Sequence, residues 1–357
     1  AIDSYKQAVK IKPDFADAYL NIGNALEEKG DLDAAIESYK KAIKIKPDYA
    51  EAYYVLGIKL HEKNDLNAAI DSYKQAIKIK PDFVEAYLNL GQDLKSNGDL
   101  DDAISRYKQA IKIKPDYAEA HNNMGNALKD KGDLDAAVGS FKQAIKIKPD
   151  YANAYNNMGN ALSEKGELDA AVGSFKQAIK IKPDHAEAHN NMGNALKDKG
   201  DLDAAIDSYK QAIKIKPDFA EAHLNLSFAF LNSGILNEGL DEYEWRWKTA
   251  SFLSQERHFS QPLWDGKISL KGKRILIWRE QGVGDTINFS SYLALVASQA
   301  EYCILECQEK LVSLLARSFP KIEVKPENRR LDSERDDFDS HLPMGNLFRH
   351  FIPKISQ

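Results

Sequence analysis

The pattern of apolar and polar positions repeats along most of the chain with a period of 34 residues. In residues 118–151, which make up one period, apolar positions at helical spacing predict a first helix over about 118–131 and a second helix over about 135–147. Each period is therefore predicted to be a helix–turn–helix unit. The apolar positions are Ala120, Met124, Ala127 and Leu128 in the first helix, and Leu134, Ala137, Val138, Phe141, Ala144 and Ile145 in the second.

The ends of these helices carry residues that stop or start a helix. Gly132 is expected to end the first helix, because glycine accepts the left-handed conformation of a helix C-terminus. Asp133 is expected to cap the second helix, and Asp150 the next first helix, by accepting hydrogen bonds from backbone N–H groups. Pro149 prevents the second helix from continuing. Gly125 is expected to face the second helix of its own unit, where a small residue allows close approach.

A period of this length indicates a solenoid, in which each helix pair buries its apolar face only by stacking on its neighbours. The unit resembles the tetratricopeptide repeat, which implies a right-handed superhelix with first helices on the concave surface and second helices on the convex one. This predicts a repeat domain over residues 1–253, with a half repeat 1–15, full repeats over 16–219 and a degenerate repeat 220–253. The signature residues in the first full repeat are Tyr19, Ile22, Gly23, Leu26, Ala35, Tyr39, Ala42 and Pro47. The full repeats are 16–49, 50–83, 84–117, 118–151, 152–185 and 186–219.

Asparagines occupy two equivalent positions of the first helices, three residues apart and therefore on one helical face. Stacked repeats would turn them into two parallel rows. A primary amide offers both a donor and an acceptor, so such rows could bind the backbone of an extended peptide without contacting its side chains. The arrangement resembles the asparagine ladder in the repeats of O-GlcNAc transferases, which implies a peptide-binding concave groove. The rows are Asn21, Asn89, Asn123, Asn157, Asn191 and Asn225, with Val55 as the exception, and Asn24, Asn126, Asn160 and Asn194.

The alternative is that these asparagines satisfy neighbouring backbone groups or suit solvent, as in tetratricopeptide repeats generally. Glutamates at the start of the first helices also have two interpretations. The helix dipole favours acids at this place, and a row of acids could select basic ligands. Lysines of the second helices are expected to form a solvated convex face. The glutamates are Glu51, Glu85, Glu119, Glu187 and Glu221.

Composition limits the classes of partner. The chain has 357 residues, 43% hydrophobic and 29% charged, and its net charge of −5 gives no reason to expect nucleic acid. Cys303 and Cys307 have no second pair and no histidine cluster, so a reducing compartment and no metal site are expected. No run of 18 apolar residues could span a membrane, and we expect a cytoplasmic protein. Because Ala1 already lies inside a repeat, the natural N-terminus is expected upstream, and a signal peptide there stays an alternative.

The pattern changes after about residue 240, where the tryptophans are concentrated. We expect them to seal the last repeat against a following domain by core packing. Residues 254–272 are predicted to be a connector, and strand and helix signals alternate over 273–357, which predicts a partial parallel α/β domain. The tryptophans are Trp245, Trp247, Trp264 and Trp278. The predicted strands are 273–278, 302–306, 322–324 and 338–341, and the predicted helices are 286–298 and 308–318.

A glycine turn, with Gly282 and Gly284 before Asp285, follows the first of these strands. It lacks the third glycine of a dinucleotide fingerprint, because position 287 is isoleucine. Residues 275–289 resemble the first strand, turn and helix of heptosyltransferase-like glycosyltransferases. The resemblance implies a partial Rossmann-like domain in which the two glycines bind substrate and Asp285 is the general base on an acceptor hydroxyl. The alternative is that Asp285 caps the following helix and that the glycines serve only backbone geometry.

The sequence therefore predicts a mainly α protein, a superhelical solenoid of tetratricopeptide repeats followed by a partial Rossmann-like α/β domain. Its best-supported function is to bind a protein or an extended peptide in the concave groove. Our hypothesis for the parent protein is a glycosyltransferase-like enzyme whose repeats recruit the acceptor. The nucleotide-sugar donor of that family is held mainly by a second half, so this chain is expected to bind without catalysing and to hold no cofactor. The alternatives are a non-catalytic scaffold and self-association through exposed repeat ends.

Overall fold

The computed structural model divides the chain into two compact units, one ending at Asn191 and the other beginning at Met192. The division falls inside the helix Ala186–Asp198. Ser254 in the predicted connector and Gln281 beside the glycine turn lie outside the described residues. The structure describes residues 2–253, 255–280, 282–329 and 332–355, without the side chains of 352–355.

The first unit consists of helices that alternate as first and second members of the 34-residue repeat. The first helices are α2 (Ala16–Glu27), α4 (Ala50–Glu62), α6 (Val84–Ser96), α8 (Ala118–Asp130), α10 (Ala152–Glu164) and α12 (Ala186–Asp198). The second helices are α1 (Ile2–Ile11), α3 (Leu32–Ile45), α5 (Leu66–Ile79), α7 (Leu100–Ile113), α9 (Leu134–Ile147) and α11 (Leu168–Ile181). Helix α9, for example, contacts α8 of its own repeat and α10 of the next, so each second helix is packed between two first helices.

The predictions for Gly132 and Asp133 are confirmed, and the prediction for Asp150 is wrong. Gly132 has a φ of +87°, the left-handed conformation that lets the chain leave α8. Asp133 caps α9, because its Oδ1 accepts a hydrogen bond from the backbone N of Ala136 at 3.2 Å. Asp150 does not cap α10. The N-cap residue is Tyr151, and no side chain bonds to this end of the helix.

The first helices approach their partners closely at one glycine in each repeat. A Cβ atom on Gly125 would lie 2.6 Å from Cε1 of Phe141, closer than real Cβ contacts. The same atom on Gly159 would lie 2.5 Å from Cε1 of Phe175. Both rings are fully buried and have no free space to move into. The prediction that Gly125 faces the second helix of its own repeat is therefore confirmed.

The second unit contains the end of the repeats and a small α/β part. The repeat pattern continues in α13 (Leu202–Ile215), α14 (Ala220–Asn232) and a shorter α15 (Leu236–Tyr243). A 3₁₀ turn at Glu244–Lys248 and the short helix α16 (Ala250–Leu253) follow. The helices of the α/β part are α17 (Val283–Phe289), α18 (Leu293–Ala297), α19 (Glu309–Ser318) and α20 (Asn346–Ile355).

The strands of this unit form a small parallel sheet, as the sequence predicted. They are β1 (Arg274–Trp278), β2 (Tyr302–Cys307), β3 (Glu323–Pro326) and β4 (Ser340–Pro343). Their order in the sheet is β3-β2-β1-β4, and all three pairings are parallel. The connector adds Leu263 beside β4, and the backbone N of Trp264 donates to the carbonyl oxygen of His341 at 2.8 Å. This stretch of the connector is therefore an extended segment at the sheet edge.

The tryptophans of the second unit pack into its core, as predicted. Trp245 stacks on His223 of α14 with ring centroids 3.7 Å apart. Trp247 packs against Trp278 of β1 with ring centroids 5.7 Å apart. Between these two tryptophans in sequence, Arg246 is fully buried, and its Nε donates to a carboxylate oxygen of Glu280 at 2.7 Å. The last repeat and the sheet are thus sealed together by aromatic packing and one buried ion pair.

Candidate functional site

Asparagines of consecutive first helices are bonded to each other. Nδ2 of Asn157 donates to Oδ1 of Asn122 in the preceding repeat at 3.1 Å, and Asn191 donates to Asn156 in the same way at 3.1 Å. Asn122 and Asn156 are only 5% and 8% exposed, so the bonds lie in the buried seam between first helices. Buried polar groups need partners, and the outer asparagine supplies one to the inner asparagine.

Asn122 also bonds to its neighbour in sequence. Its Nδ2 donates to Oδ1 of Asn123 at 3.3 Å. Asn157 therefore turns its donor into the seam, whereas Asn123 has its carbonyl engaged and keeps its Nδ2 for another partner. The inner asparagines Asn122 and Asn156 were missed as functional residues. The signal that could have found them is the Asn-Asn pair at 122–123 and its copy 34 residues later.

Two asparagines of the second row are bonded to a tyrosine of their own repeat. Oη of Tyr39 on α3 donates to Oδ1 of Asn24 at 2.9 Å. Oη of Tyr209 on α13 donates to Oδ1 of Asn194 at 2.8 Å. In these two repeats the tyrosine engages one of the two lone pairs of the amide carbonyl, so part of this acceptor is already used inside the protein.

The other two asparagines of this row face a phenylalanine. Phe141 and Phe175 stand where Tyr39 and Tyr209 stand in their repeats. Asn126 and Asn160 are half-buried on α8 and α10, and neither has a hydrogen-bond partner among the described residues. Their amides are therefore available to a ligand. We define the amide face as Asn123, Asn126, Asn157 and Asn160.

The remaining asparagines of the first predicted row, Asn21, Asn89 and Asn225, differ from one another in their surroundings. Nδ2 of Asn89 on α6 donates to Oη of Tyr54 at 3.3 Å. Tyr54 packs on Phe83 with ring centroids 4.7 Å apart, and burial raises the pKa of its hydroxyl. Asn21 on α2 and Asn225 on α14 are half-buried. Within the predicted row, Asn89 is therefore bonded to an aromatic hydroxyl, whereas Asn157 and Asn191 are bonded to asparagines.

The seam between first helices holds buried charge in two places. Lys59 occupies the repeat position of Ala127 and Ala161, and its side chain is 7% exposed. Its Nζ lies 2.5 Å from Oε1 of Glu27 in the preceding repeat and 2.6 Å from Oε1 of Glu62. A buried ammonium needs such partners, and the two carboxylates satisfy it.

Asp93 occupies the same position one repeat later and is 1% exposed. Its Oδ1 lies 2.6 Å from Nδ1 of His61 in the preceding repeat, whereas its buried Oδ2 has no hydrogen-bond partner in the described part of the chain. Burial raises the pKa of the Asp93 carboxyl, and His61 opposes this shift. These buried charges were not predicted, although the break in the alanine pattern at 59 and 93 was visible in the sequence.

The glycine turn lies at the carboxyl end of β1. Helix α17 begins at Val283, its N-cap residue is Gly282, and Asp285 lies within its first turn. The interpretation that Asp285 caps this helix is therefore wrong, because the cap is three residues earlier and has no side chain. An open cavity of about 510 Å³ adjoins the turn, and its described lining includes Gly282 but neither Gly284 nor Asp285. Other lining residues are Phe252, Arg279, Glu280, Val283, Gln308 and Lys310.

The repeats match a known family over most of the chain. The model of the TPR repeat family matches residues 1–30, 24–63, 57–94, 91–132, 125–166, 159–200 and 193–234. The chain belongs to the tetratricopeptide-repeat family. Its fold is accordingly suited to protein or peptide partners.

Solved structures support the tetratricopeptide fold. A tetratricopeptide repeat protein from Parabacteroides merdae has a TM-score of 0.56 at 16% identity, over 64% of this chain and 91% of its own. The pilF protein of Pseudomonas aeruginosa has a TM-score of 0.50 at 19% identity, over 58% and 94%. YrrB, a TPR protein with an unusual peptide-binding site, is 26% identical over 53% and 97%, with a TM-score of 0.47. No curated protein matches the chain.

Two further features bear on the partners of this tetratricopeptide-repeat chain. Among the described residues, no helix has the length and apolar character needed to cross a membrane. The same residues contain no group of three or more histidine, cysteine, aspartate or glutamate side chains that could hold a metal ion. Self-association through repeat ends stays a prediction.

Proposed function

We propose that this protein binds an extended polypeptide along the exposed side of its first helices, in the groove expected for the fold, and that the amide face contacts the ligand backbone. The observation that carries the proposal is the state of Asn126 and Asn160, whose amides lack partners among the described residues. Each can donate and accept at the same time. An extended peptide offers one donor and one acceptor per residue, so the chemistry of the two is complementary.

The bonds in the seam hold two members of the amide face, Asn123 and Asn157, in a defined orientation. Asn157 is fixed through its donor to Asn122, and Asn123 is fixed through its carbonyl from the same residue. Fixed side chains lose little conformational entropy when a ligand binds, so they bind more tightly than mobile ones. The arrangement supports recognition of the backbone, with weak selection among ligand side chains.

The test is binding of the full chain to an array of unfolded peptides of mixed sequence, compared with the double variant Asn126→Ala/Asn160→Ala. We expect broad binding by the native protein and about thirtyfold weaker binding by the variant, because two hydrogen bonds of about 1 kcal/mol each are lost. Gln143→Ala/Gln177→Ala is the matched control, since these exposed amides lie on the second helices of the same repeats. Equal binding by the native protein and the asparagine variant would contradict the proposal.

A second proposal concerns the carboxyl edge of the sheet, where ligands of parallel sheets bind. The cavity beside Gly282 lies at this edge, and Asp285 follows in the first turn of α17. These features support a role as the acceptor-recruiting part of a glycosyltransferase-like protein. Gly282 and Gly284 would then allow close approach of substrate, and Asp285 would act as general base.

Calorimetric titration of the protein and of Asp285→Asn with monosaccharides and with UDP-N-acetylglucosamine tests this second proposal. We expect weak saccharide binding that falls in the variant, without tight binding of the nucleotide sugar. Tight binding of the nucleotide sugar would show that the donor site lies in this chain. The absence of any saccharide binding would leave the sheet as a structural end of the repeats.

A further inference from the structure

We infer that the choice between phenylalanine and tyrosine on the second helix decides which repeats bind the peptide backbone, and that Phe141 and Phe175 keep the carbonyls of Asn126 and Asn160 free for a ligand. The inference rests on the proposed peptide binding and assigns its location to the repeats 118–151 and 152–185. It makes the two phenylalanines positioning residues, which act through Asn126 and Asn160.

The aromatic rings of the two kinds of repeat occupy the same place. A Cβ atom on Gly125 would lie 2.6 Å from Cε1 of Phe141, and one on Gly193 would lie 2.5 Å from Cε1 of Tyr209. The ring is therefore held against the first helix at the same distance whether or not it carries a hydroxyl. A tyrosine at 141 would place its hydroxyl where Tyr209 has it.

That hydroxyl has a consistent partner wherever an asparagine faces it. Tyr39 donates to Asn24 at 2.9 Å and Tyr209 donates to Asn194 at 2.8 Å, in both cases to the amide carbonyl, and Tyr39 has Glu27 as a second, more distant acceptor at 3.2 Å. A carbonyl that accepts from a tyrosine has one of its two lone pairs engaged, so it is a weaker and less accessible acceptor for a peptide N–H than a carbonyl with both lone pairs available. Removal of the hydroxyl in the two middle repeats leaves this acceptor to the ligand.

The two free amides are also suitably spaced for one ligand. Their helices, α8 and α10, are in contact, and packed helices lie about 8–10 Å apart. An extended chain advances about 3.3 Å per residue, so about three ligand residues separate equivalent contacts. The ligand is therefore an extended segment whose backbone N–H groups, about three residues apart, meet the carbonyls of Asn126 and Asn160.

The test uses the tightest-binding array peptide and copies of it that carry one backbone N-methyl group each, measured by fluorescence anisotropy. For the double variant Phe141→Tyr/Phe175→Tyr we expect about tenfold weaker binding of the unmodified peptide. We also expect an unfolding midpoint at least equal to that of the native protein, because the variant gains two internal hydrogen bonds. N-methylation at the two sensitive positions should weaken binding to the native protein and have little further effect on the variant.

The same substitutions in the Asn126→Ala/Asn160→Ala background are the control. They should cause no additional loss, because the carbonyls that the new hydroxyls would occupy are already absent. Weaker binding in that background would show that the added hydroxyls act on the ring packing, and would overturn the inference.

Two other outcomes separate this inference from the proposed function. If the asparagine variant loses binding while Phe141→Tyr/Phe175→Tyr binds like the native protein, the inference is wrong and the proposed function stands. If the native protein binds no array peptide, the proposed function fails and the inference fails with it.

Discussion

The front repeats, 16–117, and the rear repeats, 118–191, share one fold but join their first helices with different chemistry. In the front repeats the seam contains the buried charges Lys59 and Asp93, each paired with the preceding repeat. In the rear repeats the corresponding position is alanine, and the buried part of the seam is held by neutral bonds between asparagines, with the ion pair of Lys129 and Glu164 at its more exposed end. The helix–turn–helix repeat therefore accommodates either buried charges or asparagine bonds between its first helices. On our proposal, the asparagine bonds leave amides on the exposed side for a ligand.

The difference teaches that polar residues in a solenoid can have separate roles: some join one repeat to the next, and others are left for a ligand. Each buried charge in the front seam has a different partner in the preceding repeat, Lys59 with Glu27 and Asp93 with His61, so they also distinguish one interface from the next. The amide seam has no such distinction, because it repeats with the same partners. It instead leaves amide groups that match a peptide backbone. Stability should thus depend on single charged partners in the front repeats and on several weak bonds in the rear repeats.

The largest loss of stability is expected from His61→Ala in the front repeats. Asp93 would keep its buried carboxylate, with Oδ2 already lacking a partner in the described chain, and would lose the one partner of Oδ1. Removing one member of a buried charged pair costs about 2–3 kcal/mol when the site is partly open to water. We expect this loss in the free energy of unfolding in urea at neutral pH, with faster hydrogen exchange in α4 and α6 than in α8 and α10.

The control for this prediction is the double variant His61→Ala/Asp93→Ala. Alanine is the natural residue at this repeat position in Ala127 and Ala161, where it is fully buried without cost. The double variant should therefore recover most of the lost stability. A double variant as unstable as the single one would show that His61 stabilises the front repeats by packing rather than by pairing with Asp93.

The repeat part of the fold could be predicted from the sequence because each repeat carries its own stop and start signals. The 34-residue period, Gly132 in its left-handed conformation, the Asp133 cap and the close approach at Gly125 were all predicted, and the structure has them. The same holds for the parallel sheet, whose strands are short apolar runs separated by helical patterns. These features are local in sequence, so a residue pattern is sufficient to specify them.

The site was less predictable because its hydrogen bonds join residues about one repeat apart. The outer asparagines could be placed in rows, but their partners Asn122 and Asn156 depend on the offset between stacked helices. Whether Asn126 is free depends on the missing hydroxyl of Phe141, a difference of one atom in another helix. Asp150 and Asp285 were assigned as caps from residue type alone, and each failed because the helix begins at a different residue from the one assumed.

A smaller effect is expected from Asn122→Ala in the rear repeats. The substitution removes the acceptor of Asn157 and the donor to Asn123, both of which are half-open to water. Because water can replace the lost partners in part, we expect a decrease of about 1 kcal/mol in the free energy of unfolding. Urea unfolding at pH 5 and pH 7 should give the same decrease, since no titratable group takes part. A decrease that differs between the two pH values would contradict the neutral character of this seam.

The smallest effect is a change of stability with pH that arises from Asp93 in the front repeats. His61 pairs with Asp93, and the Tyr73 and Tyr107 hydroxyls have pKa values raised in part by the charge of Asp93. Burial raises the pKa of Asp93 above its unfolded value, so its protonated form is favoured in the folded protein. The resulting stabilisation is fully present below the unfolded pKa and is lost as the pH rises through the folded pKa. Relative to Asp93→Asn, which does not titrate, the native protein should therefore gain stability as the pH falls through this window in urea unfolding. A native protein that instead loses stability relative to Asp93→Asn on acidification would show that the ion pair with His61 outweighs the cost of burying the carboxylate. In that case the charged form of Asp93, paired with His61, would stabilise the front seam.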